Sequence, residues 1–278
     1  MLATRVLAAG FECGPYTIVR EIGRGGMAIV YLAEGPEGER CAIKTLQFAR
    51  SLEERQIKRF HREIHVVASI NHVNVVRFRD AGRIADGETG SLMWMAQEYI
   101  EGVTLRDYLH RAGGRVPAAD VASWCEQIAG GVAAAHSVGV IHRDLKPENV
   151  MLVDAARLIK VIDFSIAKFR RWGTTSTDQK RKAIGTLGYM APEQSVSDSS
   201  EIDERTDVYA LGLILFELAT GRHALAPEGG ELTAQEVLGR TMMYTPPRID
   251  ALVPGFPAEL AAIAEKALAK PPADRFQT

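Results

Sequence analysis

The chain has 278 residues, 46% hydrophobic and 24% charged, with a formal net charge of -2. That length suits one large domain or two packed lobes with a substantial interior, and the composition excludes a largely disordered chain. The near-neutral charge excludes any global attraction to nucleic acid or an anionic membrane surface, so an anion-binding site has to be local.

The first ten residues are mildly apolar and carry a single positive charge, Arg5, too weak a pattern for a signal peptide. β-rich runs at Tyr16 to Ile22, Ile29 to Glu34 and Arg40 to Leu46, separated by glycines, predict an antiparallel meander. Gly23-Arg24-Gly25-Gly26-Met27-Ala28 lies between the first two runs. A dinucleotide-binding loop needs a helix after its glycines. A glycine hairpin between strands can instead fold over a triphosphate and offer it backbone N–H groups, or be a plain turn. Lys44 lies inside the apolar strand Cys41-Ala42-Ile43-Lys44, where an amine costs free energy to desolvate unless it meets an anion. A phosphate or the carboxylate of Glu63 can supply that anion; snorkelling from a strand edge is the plain alternative.

Ser51 to Ile70 place Ile57, Phe60, Ile64 and Val67 at helical spacing among charged residues that include Glu63. Val75 to Ala81 and Ser91 to Tyr99 read as two further strands around the turn Asp86-Gly87-Glu88-Thr89-Gly90, which gives a small sheet with one helix in the first hundred residues. After Gly102 the pattern turns helical, at Leu105 to Ala112 and the alanine-rich Val121 to Val138. Val150 to Val153 and Leu158 to Ile162 flank Asp154 as a hairpin, and Arg170 to Lys182, with no apolar period, reads as a mobile loop. Val208 to Ala219 is a buried helix, well short of the roughly 18 apolar residues of a membrane span. Cys13, Cys41 and Cys125 are widely spaced and lack a CxxC pair, which argues against disulfides and zinc and fits a reducing compartment.

The sharpest signal is Ile141-His142-Arg143-Asp144-Leu145-Lys146-Pro147-Glu148-Asn149, followed by Asp163-Phe164-Ser165 and Ala191-Pro192-Glu193. With the glycine hairpin and the strand lysine in this order, the chain resembles the eukaryotic-type (Hanks-type) serine/threonine protein kinases of the bacterial branch, from about Tyr16 to its end. The resemblance implies an α+β, bilobal protein kinase fold. After an N-terminal extension (1–15), a small antiparallel sheet lobe with one helix (16–100) would precede a larger, mainly helical lobe (101–278), with a cleft around Glu98 to Gly102. It also implies that Arg275 to Thr278 enter the last helix of the fold and that the protein continues beyond them.

What the resemblance implies chemically is transfer of the γ-phosphate of ATP to protein serine and threonine hydroxyls, including autophosphorylation, in cytoplasmic signal transduction. The expected cofactors are ATP and Mg2+, with Mn2+ as a substitute. The expected partners are protein substrates, with no nucleic acid, no membrane contact from this segment, and a homodimer as one arrangement for autophosphorylation. Asp144 would be the base, Lys146 would reach the transferring phosphate and mark serine/threonine members, and Lys44, oriented by Glu63, would hold the α- and β-phosphates. Asn149 and Asp163 would ligate the metal. Ile22, Gly23, Arg24, Gly25, Gly26, Met27 and Ala28 would cover the phosphates, Val30, Ala42 and Met151 would sandwich the adenine, backbone groups of Glu98 and Ile100 would pair with its edge, and Gln97 would lie behind it. Arg143 would receive a phosphate on Thr174, Thr175 or Thr177 in preference to Ser176. Thr186 would contact Asp144 and Lys146 beside the docked substrate, Asp207 would anchor the catalytic loop, and Glu193 would pair with Arg275.

Two family glycines are replaced, by Ala28 and by Ser165, whose Cβ restricts positive φ after Asp163-Phe164. A pseudokinase scaffold is the alternative, although such chains usually lose the lysine, base or metal aspartate that are present here. Small-molecule kinases share the nucleotide lobe but lack an Ala-Pro-Glu segment preceded by a docking loop such as Gly185-Thr186-Leu187-Gly188-Tyr189.

Overall fold

A computed structural model of the chain describes residues 6–24, 28–48, 64, 67–86, 90–153, 158–164, 187–195, 202–226, 228–229 and 232–278, without the side chains of 46–48, 85–86 and 90–91. It divides into two compact units, Met1–Asn71 with Val76–Glu101, and His72–Val75 with Gly102–Thr278.

In the first unit, β1 (Glu12–Cys13), β2 (Tyr16–Arg24), β3 (Ala28–Glu34), β4 (Arg40–Phe48), β5 (Phe78–Asp86) and β6 (Gly90–Glu98) form an antiparallel sheet in the order β1-β2-β3-β4-β6-β5. Strand alternation sorts the side chains. Ile29, Tyr31, Ala33, Cys41, Ile43, Trp94 and Ala96 bury one face as a cluster, each large apolar side chain contributing roughly 1.5–3 kcal/mol. The register then puts Val30 opposite Lys44 and Ala42 opposite Gln97 on the other face. Residues before Tyr16 are built into this core: Leu7 and Cys13 are buried in the cluster, Phe11 packs on it, and the Leu7 N–H donates to the Tyr31 hydroxyl at 3.0 Å.

The fourth long strand begins at Phe78 rather than Val75. Val75 bridges in parallel to Val161 of the second unit, and Arg77 exchanges bonds with Glu98, donating to its carboxylate at 2.8 Å and accepting from its N–H at 2.9 Å. A strand's apolar period does not say which neighbour it pairs with. Of the helix expected over Ser51 to Ile70, Ile64, Val67 and Ala68 are described as helical, with Ile64 and Val67 buried. Ile57, Phe60 and Glu63 lie outside the described residues.

The second unit opens with β7 (Val103–Thr104), α1 (Leu105–Arg111) and α2 (Ala118–His136), followed by β8 (Val150–Val153) and β9 (Leu158–Val161) in a three-stranded sheet β7-β8-β9. The Thr104 hydroxyl caps α1 by accepting from Asp107 N–H at 3.0 Å. Helix α2 starts before its apolar period because Pro117, at φ -56, presets the entry and Asp120 complements the first-turn N–H groups. Then come α3 (Pro192–Ser195), α4 (Arg205–Thr220), α5 (Ala234–Met243), α6 (Ile249–Leu252) and α7 (Ala258–Ala267). Helix α4 is buried almost all round and ends at Gly221, whose φ of 72 gives the left-handed cap. Gly212 lets α7 come close, since a Cβ there would lie 2.9 Å from that of Ala267. Contrary to the helix implied at the end, Arg275 to Thr278 follow a 3-10 turn, Pro272–Asp274, and are not helical. Among the described residues no helix is long and apolar enough to cross a membrane.

Arg275 closes this unit. Its fully buried guanidinium makes a bidentate pair with Glu193 at 2.8 and 2.9 Å and donates to the carbonyls of Ala269, Arg205 and Lys270 at 2.7, 2.9 and 2.8 Å. Those five bonds use all five N–H donors, and the ring of Tyr209 lies 4.8 Å below. Removing one partner leaves the other charge buried. Arg275→Met is therefore expected to lower the unfolding free energy by about 3–5 kcal/mol in urea denaturation; a change under about 1 kcal/mol would show that solvent reaches Glu193.

Candidate functional site

The catalytic-type segment is shaped by a buried carboxylate. Asp207, in the first turn of α4 and 1% exposed, accepts from the N–H groups of His142 and Arg143 at 2.8 Å each and from His136 Nε2 at 2.8 Å. A buried carboxylate needs such donors. Drawing two successive amides onto one carboxylate bends the chain, and Arg143 takes φ 62, a left-handed conformation that costs a side-chain-bearing residue roughly 1–2 kcal/mol. The buried His142 ring then joins two segments: Nδ1 accepts from the Asp144 N–H at 3.2 Å and Nε2 donates to the Ile162 carbonyl at 2.9 Å, which fixes the tautomer. Its ring also packs against Phe164, centroids 4.7 Å apart.

Asp144 emerges from this bend with Lys146 and Asn149 gathered on its Oδ2. Lys146 Nζ is 3.1 Å from Oδ2 and Asn149 Nδ2 is 3.4 Å from it, while Nδ2 also donates to the Asp144 carbonyl at 2.8 Å. Both charged side chains are largely buried, at 19% and 15% exposure, so the pair is less screened than a surface ion pair. The Asn149 amide has its NH2 turned to Asp144, which leaves Oδ1 as the amide atom able to ligate a cation. The Ile162 N–H donates to the Asn149 carbonyl at 2.9 Å, and β8 and β9 pair Val150 with Val161, so Asn149 and Asp163 come to one end of the hairpin. Asp163 also has positive φ, 58. Among the described residues no three His, Cys, Asp or Glu side chains gather as a metal centre. An amide oxygen and a carboxylate are nevertheless hard ligands that suit Mg2+, which takes few protein ligands and completes its shell with phosphate and water oxygens.

Around this centre lies a second polar group. Arg106 of α1 donates to Glu148 at 2.9 Å, to Glu217 of α4 at 2.6 Å and to the Tyr189 hydroxyl at 2.7 Å, and that hydroxyl donates to Glu217. Burial opposes the charge on Arg106, but Tyr189, Glu217 and Glu148 together raise its pKa above the ordinary value. Gln194 joins α3 to the His142–Asp144 segment, its Nε2 donating to the Arg143 carbonyl and its Oε1 accepting from the Ala191 N–H, both at 2.9 Å.

In the first unit Ile22, Gly23 and Arg24 end β2, with Arg24 paired to Glu21 at 2.6 Å, and Ala28 begins β3. Val30, Ala42 and Lys44 share the sheet face opposite the apolar cluster, Glu98 ends β6, and Ile100 follows it. Met151 belongs to the second unit, on β8, and points away from the buried Val150 and Leu152. Gly25, Gly26, Met27, Glu63, Ser165, Thr174, Thr175, Ser176, Thr177 and Thr186 lie outside the described residues.

Sequence reasoning passed over Arg106, Gln194 and Glu217 as contributors, and named Tyr189 only as the end of the docking loop. One signal was present: Glu217 is a carboxylate within the apolar run Val208 to Ala219, and a buried carboxylate requires a cation or donors.

Comparison with known proteins gives one consistent answer. A family profile described as "Protein kinase domain" matches residues 16–278. The chain is 36% identical over 271 residues to serine/threonine-protein kinase Pkn1 of Myxococcus xanthus, covering 96% of this chain and 37% of that protein. It is 36% identical over 266 residues to serine/threonine-protein kinase PrkC of Bacillus subtilis, covering 95% of this chain and 39% of that protein. The chain thus spans about two fifths of the length of these curated relatives. Among solved structures, the PknI kinase domain of Mycobacterium tuberculosis superposes with a TM-score of 0.72 at 29% identity, covering 99% of this chain and 95% of that one.

Proposed function

The chain belongs to the protein kinase domain family, and from that premise we infer a mechanism in which its own residues position a protein hydroxyl for phosphoryl transfer from ATP. It is a bacterial-type serine/threonine protein kinase catalytic domain, of α+β class. The activity of the longer protein, its substrates and its signalling role are proposals.

Asp144 orients the acceptor hydroxyl and takes its proton as the oxygen attacks. Lys146, held at 3.1 Å from that carboxylate, neutralises charge on the transferring group. In the first unit, Lys44, with Val30 and Ala42 on its face of the sheet, holds the nucleotide phosphates, Glu98 and Ile100 offer backbone groups to the adenine edge, and the Gly23 hairpin covers the phosphates. Asn149 Oδ1 and the Asp163 carboxylate would hold the divalent ion, which we take to be Mg2+, with Mn2+ as a substitute. When bound, that ion neutralises phosphate charge. Phosphorylation of Thr174, Thr175 or Thr177 would add a dianion for the Arg143 guanidinium, transferred between two copies of the chain. Because ATP is the phosphate source, we place the domain on the cytoplasmic side.

The observation that carries this reading is the Asp144–Lys146–Asn149 group on a backbone clamped to Asp207. Incubation with labelled ATP, Mg2+ and a generic protein substrate, followed by phosphosite mapping, is expected to give phosphoserine and phosphothreonine. Nucleotide binding without incorporation of label would support the scaffold alternative instead.

A further inference from the structure

We propose that Arg106 is a positioning residue for the acceptor substrate, locking Tyr189, in the segment before α3, to the turn that carries Glu148 and Asn149. The inference rests on the kinase reading above, with the acceptor docked beside the segment that ends at Tyr189.

The geometry is that of a junction. One guanidinium donates to Glu148 through Nε, to Glu217 through Nη1 and to the Tyr189 hydroxyl through Nη2, so its rigid fork fixes three groups from three different segments at once. The Tyr189 hydroxyl is satisfied in both roles, accepting from Arg106 and donating to Glu217, and its ring is held at its edge by His223 with centroids 5.0 Å apart. Glu148 immediately precedes Asn149, whose amide donates to the Asp144 carbonyl, so a shift of Glu148 reaches the catalytic carboxylate within one residue.

Helix α4 supplies the common reference. Asp207 near its start holds the backbone of His142 and Arg143, and Glu217, ten residues on and about 15 Å along the axis, holds Tyr189. Arg106 closes the frame between them on the side of the Glu148 turn. The arrangement is not core filling, because the Glu148 side chain is 41% exposed although its Oε2 is itself buried without a hydrogen-bond partner, whereas Glu217 is 11% exposed. The three hydrogen-bonded groups that Arg106 holds, Glu148, Glu217 and Tyr189, are not among the residues assigned to the nucleotide. Loss of Arg106 should therefore act on the acceptor side of the reaction.

The test compares wild type, Arg106→Gln, Arg106→Lys and Tyr189→Phe with a serine/threonine peptide and Mg-ATP as the varied substrates, with melting curves for each. Arg106→Gln is expected to raise the peptide KM about tenfold, the size one charge-assisted hydrogen bond supports, and to leave the ATP KM within about twofold. Arg106→Lys should recover part of the loss, since an ammonium reaches one carboxylate but cannot fork. Tyr189→Phe should raise the peptide KM severalfold, and combined with Arg106→Gln it should add little, because both break the same junction. An unchanged peptide KM in Arg106→Gln, or ATP and peptide KM rising together, overturns the proposal. If Arg106→Gln does not fold, Tyr189→Phe with an unchanged peptide KM does the same. A wild-type chain that transfers no phosphate refutes the kinase reading, while an active wild type with indifferent variants refutes only the role of Arg106.

Discussion

Asp144→Asn is expected to fold and yet to lose phosphoryl transfer by about 100-fold or more. Asparagine keeps the shape of the side chain, and the backbone it hangs from is fixed elsewhere, by Asp207 on the amides of His142 and Arg143 and by His142 Nδ1 on the Asp144 N–H. What disappears is the carboxylate that can orient an incoming hydroxyl and receive its proton, together with the counter-charge of Lys146 at 3.1 Å. Initial rates on a peptide, with melting temperatures measured in parallel, check this. A variant that keeps half the wild-type rate at unchanged stability would remove Asp144 from the mechanism.

Asp163→Asn is expected to abolish tight Mg-ATP binding, lowering affinity to that of ATP measured without Mg2+, a loss of tenfold or more at about 1.4 kcal/mol per tenfold. Asparagine is preferred to alanine because Asp163 has φ 58, a region that asparagine tolerates and alanine resists, so the substitution tests the charge and leaves the backbone alone. Titration calorimetry with and without Mg2+ gives the reading. Equal Mg-ATP affinities in wild type and variant would place the metal elsewhere.

The parts of the site legible in the sequence were those where chemistry demands fixed residue types at fixed spacing. Asp144, Lys146 and Asn149 fall within six residues, and the structure brings both Lys146 and Asn149 within hydrogen-bond distance of Asp144. The strands of the first unit were legible because alternation survives into the fold, with Tyr31 and Ile43 inward and Val30 and Lys44 opposite. Other features depended on partners distant along the chain. Nothing local to Val75 indicates that it bridges Val161 instead of starting a strand, and Arg106 reads as an ordinary helix arginine until Glu217, 111 residues later, meets it. Helix α5 is a different case, since Thr233 and Glu236 form a capping box that the sequence displays and that identifies a helix start. Its apolar face is short, and periodicity alone passed over it.

The left-handed backbone at Arg143 and Asp163 also bears on how this domain responds to selection. Glycine at either position would relieve roughly 1 kcal/mol of conformational cost, so a screen for heat tolerance would tend to enrich it. The same change would loosen the clamped bend beside Asp144, or delete the carboxylate of Asp163, and turnover would fall. Thermal robustness and catalytic rate are thus set against each other at two identifiable codons, and stabilising libraries for this domain are best built with both held fixed.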